Sequence, residues 1–108
     1  MPVDLATTFA ALGDPVRQAI VERLADGDAT VNEIASLFPI SVQAVSRHIQ
    51  VLDAAGVVSK RREGKTHPVH LEPATLARTA AWLEGHRLRL ERKYERLDEL
   101  LQERKDPR

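Results

Sequence analysis

The stretch TVNEIASLFPISVQAVSRHIQVLDAAGVV, residues 30–58, decides how the rest of the chain folds. Thr30 and Glu33 have the T-x-x-E spacing of a capping box, in which hydroxyl and carboxylate satisfy backbone N–H groups at a helix start. Ile34 and Leu37 give that helix an inward face. Pro39 stops it, because proline disfavours helix at the residue before it. Ser41 is suited to N-cap a second helix. Val42, Val45, Ile49 and Leu52 then recur at spacings of three and four, which makes one apolar stripe on that helix. Gly56 stands where a left-handed C-terminal cap belongs. Two short helices joined by so brief a turn predict a helix-turn-helix over 30–56.

The outer face of the second helix points to function. At about 100° per residue, Gln43, Ala44, Arg47, Gln50 and Val51 turn away from the apolar stripe, with Ser46 and His48 on its flanks. No acid interrupts this face before Asp53. Arg and Gln offer bidentate hydrogen bonds to guanine and adenine in the major groove of DNA. Recognition helices put their N-terminal half into that groove. Ser41, Gln43, Ala44, Ser46, Arg47 and Gln50 are therefore candidate DNA-contacting residues, weighed against an ordinary solvated helix face. His48 is expected to pack, partly buried, rather than to read a base.

Composition bounds the rest. A chain of 108 residues suits one domain with a modest core, and 4% aromatics make that core aliphatic. The absence of cysteine excludes disulfides, thiolate metal sites and cysteine nucleophiles. No apolar run approaches the roughly 20 residues of a membrane span, and no signal peptide is evident. A soluble, intracellular, cytoplasmic protein is expected. Net charge is zero, yet residues 1–40 carry −4, residues 41–70 carry +3 with three histidines, and residues 71–108 carry +1. A local basic patch on a neutral body suits sequence-selective nucleic-acid binding better than bulk coating.

Taken in order, residues 3–12 read as a short helix with Leu5, Phe9 and Leu12 on one side. Asp14 caps and Pro15 opens the next helix, which reaches about Ala25 with Val16, Ile20 and Leu24 inward and Arg17, Glu22 and Arg23 outward. Asp26-Gly27-Asp28 is a turn. After the helix-turn-helix, Val57-Val58-Ser59 and the segment 67–71 predict a hairpin with Gly64 at its tip and Pro68 confining the return strand to an edge. Lys60, Arg61, Arg62, Lys65 and Thr66 make this a basic wing that reaches phosphates, weighed against lysines that merely blunt a strand edge. His67 and His70 face opposite sides of such a strand and make a poor metal pair.

A last helix is predicted over about 74–104. Leu76, Ala80, Leu83, Leu90, Tyr94, Leu97 and Leu101 form its seam of alternating spacings four and three, broken by Arg87, and the tail from Gln102 is expected to fray. Such a helix is roughly 45 Å long, more than one small domain covers. A second copy is the simplest partner, with Leu5, Phe9, Trp82, Leu83, Leu90, Tyr94, Leu97 and Leu101 at the interface. Trp82 and Tyr94 fit that dimer core better than a small-molecule pocket between the long helices, and the mixed charges of 84–99 fit a solvated face. The fold expected is mainly α with a small β-hairpin: a winged helix-turn-helix in a single domain over 1–108. Within it, 1–13 and 74–104 are dimerisation helices, 30–56 the helix-turn-helix and 57–71 the wing.

The segment FAALGDPVRQAIV, from Phe9, is similar to the opening motif of the ArsR/SmtB family of bacterial winged-helix regulators, and SVQAVSRHIQVL with AGVV resembles its recognition helix and strand entry. The resemblance covers about residues 5–101. It implies a homodimer that binds an inverted-repeat operator on double-stranded DNA, mostly as a repressor, and in many members an effector small molecule that releases it. Where the family's metal sensors carry Cys-x-Cys, this chain has Ala35-Ser36-Leu37, and of the ligand pattern on their last helix only His86 is present. No metal or cofactor is expected, so the chain resembles a Cys-free branch.

Two other classes compete with a DNA-binding regulator. One is a winged-helix module for protein–protein contact, against which the basic, acid-poor helix face argues. The other is an enzyme, for which the sequence offers no Gly-rich phosphate loop, metal-ligand cluster or nucleophile with a base. Asp14 and Asp26 are better explained as cap and turn residues.

Overall fold

The computed structural model describes residues 4–105; the first three residues of the expected N-terminal dimerisation segment, and residues 106–108, lie outside that range. The element order is α1 (Leu5–Ala11), α2 (Pro15–Leu24), α3 (Val31–Ala35), α4 (Val42–Ala54), β1 (Val58–Lys60), β2 (Val69–Leu71) and α5 (Pro73–Lys105). The chain divides into two compact units, one extending to Leu76 and the other beginning at Ala77.

Local chemistry sets the helix starts of the first unit. Asp4, Asp14, Thr30 and Ser41 are all extended N-caps whose side chains accept from the N–H three residues on. The Thr30–Glu33 pair closes a full capping box. At the end of α4, Gly56 takes φ +74°. Its N–H donates to the Asp53 carbonyl at 3.0 Å while Val57 N–H donates to Leu52 at 2.9 Å. This paired pattern is a Schellman cap, and it requires the left-handed residue that glycine supplies.

The core is aliphatic: Ile20, Leu24, Ile34, Val45, Ile49, Leu52, Val57, Val58 and Val69 are buried together with small alanines. Two residues expected inside lie outside. Leu37 is 57% exposed and Val42 45% exposed. The reason is the length of α3: it stops at Ala35, well before Pro39, and Leu37 and Phe38 already belong to a tightened turn bonded to Ile34 and Ala35. Past that point helical periodicity no longer assigns faces, so Ala35 and Phe38 pack inward instead. Val42 is the first residue of α4 and lies beyond the core's rim. On α1 the deeply buried residues are Thr8 and Ala11, with Leu5 and Phe9 only half-buried.

β1 and β2 pair antiparallel, Val58 with Leu71 and Lys60 with Val69. The sheet formed by the described residues is two-stranded, so β2 is an edge strand as Pro68 predicts. At Val69 it gains one isolated bridge on its outer side: Val69 N–H donates to Ala29 at 2.7 Å and its carbonyl accepts from Ala29 N–H at 3.2 Å. Pro68 stands just before that ladder, where its missing N–H is not needed, and its carbonyl accepts from Arg61 N–H at 2.8 Å.

In the second unit α5 runs unbroken through Lys105, so residues 102–105 are helical rather than frayed. Its 33 residues correspond to about 50 Å. Leu83, Leu90, Tyr94, Leu97 and Leu101 are each about half exposed, an apolar seam, broken at Arg87, that faces solvent in the single chain. Arg87, the interruption in that seam, is neutralised within the helix. Its guanidinium donates to Glu84 on one side and Glu91 on the other. These bonds raise the Arg87 pKa, and the Arg87 bond lowers that of Glu84.

Candidate nucleic-acid interface

The face predicted to carry function is assembled on one rigid element. Gln43, Arg47 and Gln50 are exposed on α4, Ala44 and Ser46 are half-buried beside them, and Ser41 caps the helix by accepting from Ala44 N–H at 3.1 Å. Buried Val45, Ile49 and Leu52 hold the opposite face in the core, which fixes the rotation of α4 about its axis. Arg47, Gln43 and Gln50 make no side-chain hydrogen bond or ion pair with other described residues. Their donors and acceptors are thus uncommitted.

The hairpin carries the second group. Lys60, Arg61, Arg62, Lys65 and Thr66 are all exposed. Glu63 and Thr66 exchange both backbone hydrogen bonds at 3.0 Å, closing a two-residue turn of Gly64 and Lys65. Gly64 has φ +60° and no non-glycine residue among the described residues has positive φ, which makes this a type II′ turn matched to the twist of a hairpin. The Thr66 hydroxyl is spent inside the turn, donating to the Glu63 carbonyl at 2.8 Å. The four cations of the wing have no such partner among the described residues.

A third group was not legible in the sequence. Arg17, expected outward, is turned back into the structure. Its Nε donates to the Ala11 carbonyl at 2.6 Å and its Nη2 to Ala10 at 3.3 Å, so it closes the C-terminal end of α1. Its Nη1 reaches His48 Nδ1 on α4 at 3.3 Å. Asp14 Oδ2 stands 3.8 Å from the same ring nitrogen and accepts from Arg17 N–H at 3.0 Å. That backbone bond, reinforced by the Arg17 charge, holds the Asp14 carboxyl below its usual range. Three helices therefore meet at His48, which is partly buried as the sequence predicts.

His67 is exposed in the wing, whereas His70 Nδ1 lies 2.8 Å from Asp28 Oδ1 and ties β2 to the turn after α2. The described residues contain no group of three or more His, Cys, Asp or Glu placed to hold a metal ion, and no helix among them is long and apolar enough to cross a membrane. Of the expected interface residues, Leu5 and Phe9 belong to the first unit, and Trp82, Leu83, Leu90, Tyr94, Leu97 and Leu101 lie exposed along α5 in the second. The Trp82 ring also lies against His86, with centroids 4.4 Å apart.

A three-helix core, an exposed second helix of a helix-turn-helix and a basic two-stranded wing together define a winged helix-turn-helix protein. Residues 12–61 match the family model described as a helix-turn-helix domain. The chain is 45% identical over 69 residues to the HTH-type transcriptional regulator Rv2034 of Mycobacterium tuberculosis, and spans 64% of that protein's length. It is 35% identical over 75 residues to the transcriptional repressor SdpR of Bacillus subtilis, covering 69% of this chain and 83% of that one. An ArsR-like transcriptional regulator from Rhodococcus sp. RHA1 has the same fold, with TM-score 0.81 and 30% identity over 89% of this chain and 91% of that one. The homodimeric winged helix-turn-helix DNA-binding domain Mb0332 from Mycobacterium bovis matches with TM-score 0.64 and 29% identity over 74% of each chain. The chain belongs to the ArsR/SmtB family of winged helix-turn-helix transcriptional regulators.

Proposed function

We propose that the protein is a homodimeric transcriptional repressor that binds an inverted-repeat operator, placing α4 (with residues 42–55) in the major groove and the basic wing along the neighbouring backbone. One observation carries this reading: Gln43, Arg47 and Gln50 stand exposed on one face of α4 with no internal partner and no acid among them. Those side chains match the hydrogen-bonding edges of guanine and adenine. Lys60, Arg61, Arg62 and Lys65 supply phosphate contacts that carry affinity without sequence information. The apolar seam of α5 supports association with a second copy, as does the homodimeric relative from Mycobacterium bovis. Two protomers then present their recognition helices to half-sites one helical turn apart, about 34 Å. The protein acts without enzymatic chemistry or a cofactor, and a small molecule that relieves repression is a partner to be sought.

Replacing Arg47 by Ala tests the assignment. Arg47 touches nothing that stabilises the fold, so melting should shift by less than about 0.5 kcal/mol equivalent. Specific affinity should fall by about 1–3 kcal/mol, roughly 5- to 150-fold. Undiminished operator affinity in the folded variant refutes the assignment of the reading face.

A second reading has its own observation. Leu37, Ile40 and Val42, at 57%, 36% and 45% exposure, form an apolar edge around the turn before α4. That edge suits a protein partner, and a winged-helix module used for protein–protein contact predicts a partner retained at high salt and no selective DNA binding.

A further inference from the structure

Resting on that reading, we infer that His48 is a DNA-phosphate contact whose ring is positioned for the purpose by Arg17. A guanidinium can only donate, so the 3.3 Å contact from Arg17 Nη1 makes His48 Nδ1 an acceptor. The alternative partner of that nitrogen, Asp14 Oδ2, lies at 3.8 Å, beyond hydrogen-bonding distance. An imidazole whose Nδ1 accepts carries its proton on Nε2. Among the described residues His48 Nε2 has no partner, yet none of their buried side-chain nitrogens or oxygens is left unsatisfied. The Nε2–H therefore reaches solvent.

Its direction follows from the position of His48 on α4. His48 follows Arg47 by about 100° around the helix and precedes buried Ile49, so it lies on the flank between the exposed face and the core. A recognition helix lying in a groove about 12 Å wide turns its outer face to the base edges and its flanks to the groove walls, which are phosphates. The outward Nε2–H is thus placed as a neutral, directional donor to a phosphate oxygen. Arg17, anchored on the Ala10 and Ala11 carbonyls, holds the ring in that orientation and offsets the nearby Asp14 carboxylate.

The test uses the full-length protein and two duplexes of about 30 base pairs, one from upstream of its own gene and one scrambled. Removing a hydrogen bond to a charged acceptor with His48→Phe should weaken binding to both duplexes roughly tenfold, leaving their ratio unchanged because a phosphate contact carries no sequence information. The slope of log affinity against log salt should also stay unchanged, since a neutral donor releases no counterion. His48→Gln, whose amide can replace the Nε2–H, should recover most of the loss. In the free wild-type protein, ¹⁵N-edited long-range NMR should give the Nε2–H tautomer for His48, and Arg17→Lys should alter that signature while the melting temperature of His48→Gln stays near wild type. Equal affinities for wild type and a folded His48→Phe overturn the inference, as do an Nδ1–H signature or a loss confined to the upstream duplex. If His48→Phe does not fold, His48→Ala, which keeps a strong helix former in α4, is measured on the same two duplexes, and affinities equal to wild type overturn the inference. A wild-type protein that binds neither duplex refutes the DNA-binding reading itself, which is a distinct outcome.

Discussion

Thr8 offers the sharpest test of how the recognition helix is anchored. It is fully buried on α1, and its hydroxyl donates at 3.1 Å to the carbonyl of Ala55, the residue that caps the C-terminal end of α4. Thr8→Val keeps the shape of the side chain and removes only the donor. The Ala55 carbonyl, on a residue 1% exposed, is then left in an apolar environment without that partner. A buried acceptor so stranded costs about 1–3 kcal/mol. For a unit of this size each kcal/mol is worth roughly 4–8 °C in melting temperature, so a central value of about 2 kcal/mol predicts a fall of about 8–16 °C. Thermal unfolding followed by circular dichroism reads it directly. Wild type and variant must be compared at one protein concentration, because association itself shifts melting. A fall under about 2 °C would refute the reasoning, because the bond between α1 and the end of α4 would then contribute nothing net.

Other outcomes follow from the same geometry. Gly56→Ala forces a side chain onto φ +74° and should cost about 1–2 kcal/mol, seen as a lower urea midpoint with an unchanged slope. Ser41→Ala removes the acceptor for Ala44 N–H and should cost about 1 kcal/mol, while Ser41→Asp should retain most of the cap. Asp4, Asp14 and Glu33 all have pKa values lowered chiefly by backbone N–H groups they cap. Groups depressed in the folded state add stability that is full above their unfolded values near 4 and is lost as pH falls through the lower folded values. Melting temperature should therefore drop through the acid range below about pH 4, and Asp14→Asn, which caps without titrating, should make that drop shallower. Arg87→Leu should complete the α5 seam and tighten self-association in sedimentation; a weaker dimer would contradict the role given to that seam.

What could be read from the sequence was what local chemistry determines. The caps at Asp14, Thr30 and Ser41, the Gly56 termination and the period of Val45, Ile49 and Leu52 each depend on neighbours within a turn or two, and all appear where the residues place them. Leu37 failed because periodicity holds only while the helix lasts, and α3 ends two residues earlier. Arg17, expected outward, failed for a different reason, and Thr8 was not singled out at all. Their partners, His48 and Ala55, are brought near only by tertiary packing, and nothing in an i, i+3 or i, i+4 pattern signals them. The isolated bridge from Val69 to Ala29 was missed likewise, because Ala29 lies on the far side of the helix-turn-helix in sequence. The exposure of Gln43, Arg47 and Gln50 on α4 was legible because it rests on helical phase alone.

If α4 and the wing read a specific duplex as part of a dimer, binding must be both selective and stoichiometric. Fluorescence anisotropy of the protein with DNA from upstream of its own gene, at near-physiological salt and with scrambled competitor, measures both. Competitor-resistant binding that saturates at two protomers per site is expected. Weak binding that scrambled DNA abolishes equally would contradict it, leaving a generic basic surface in place of a reading face.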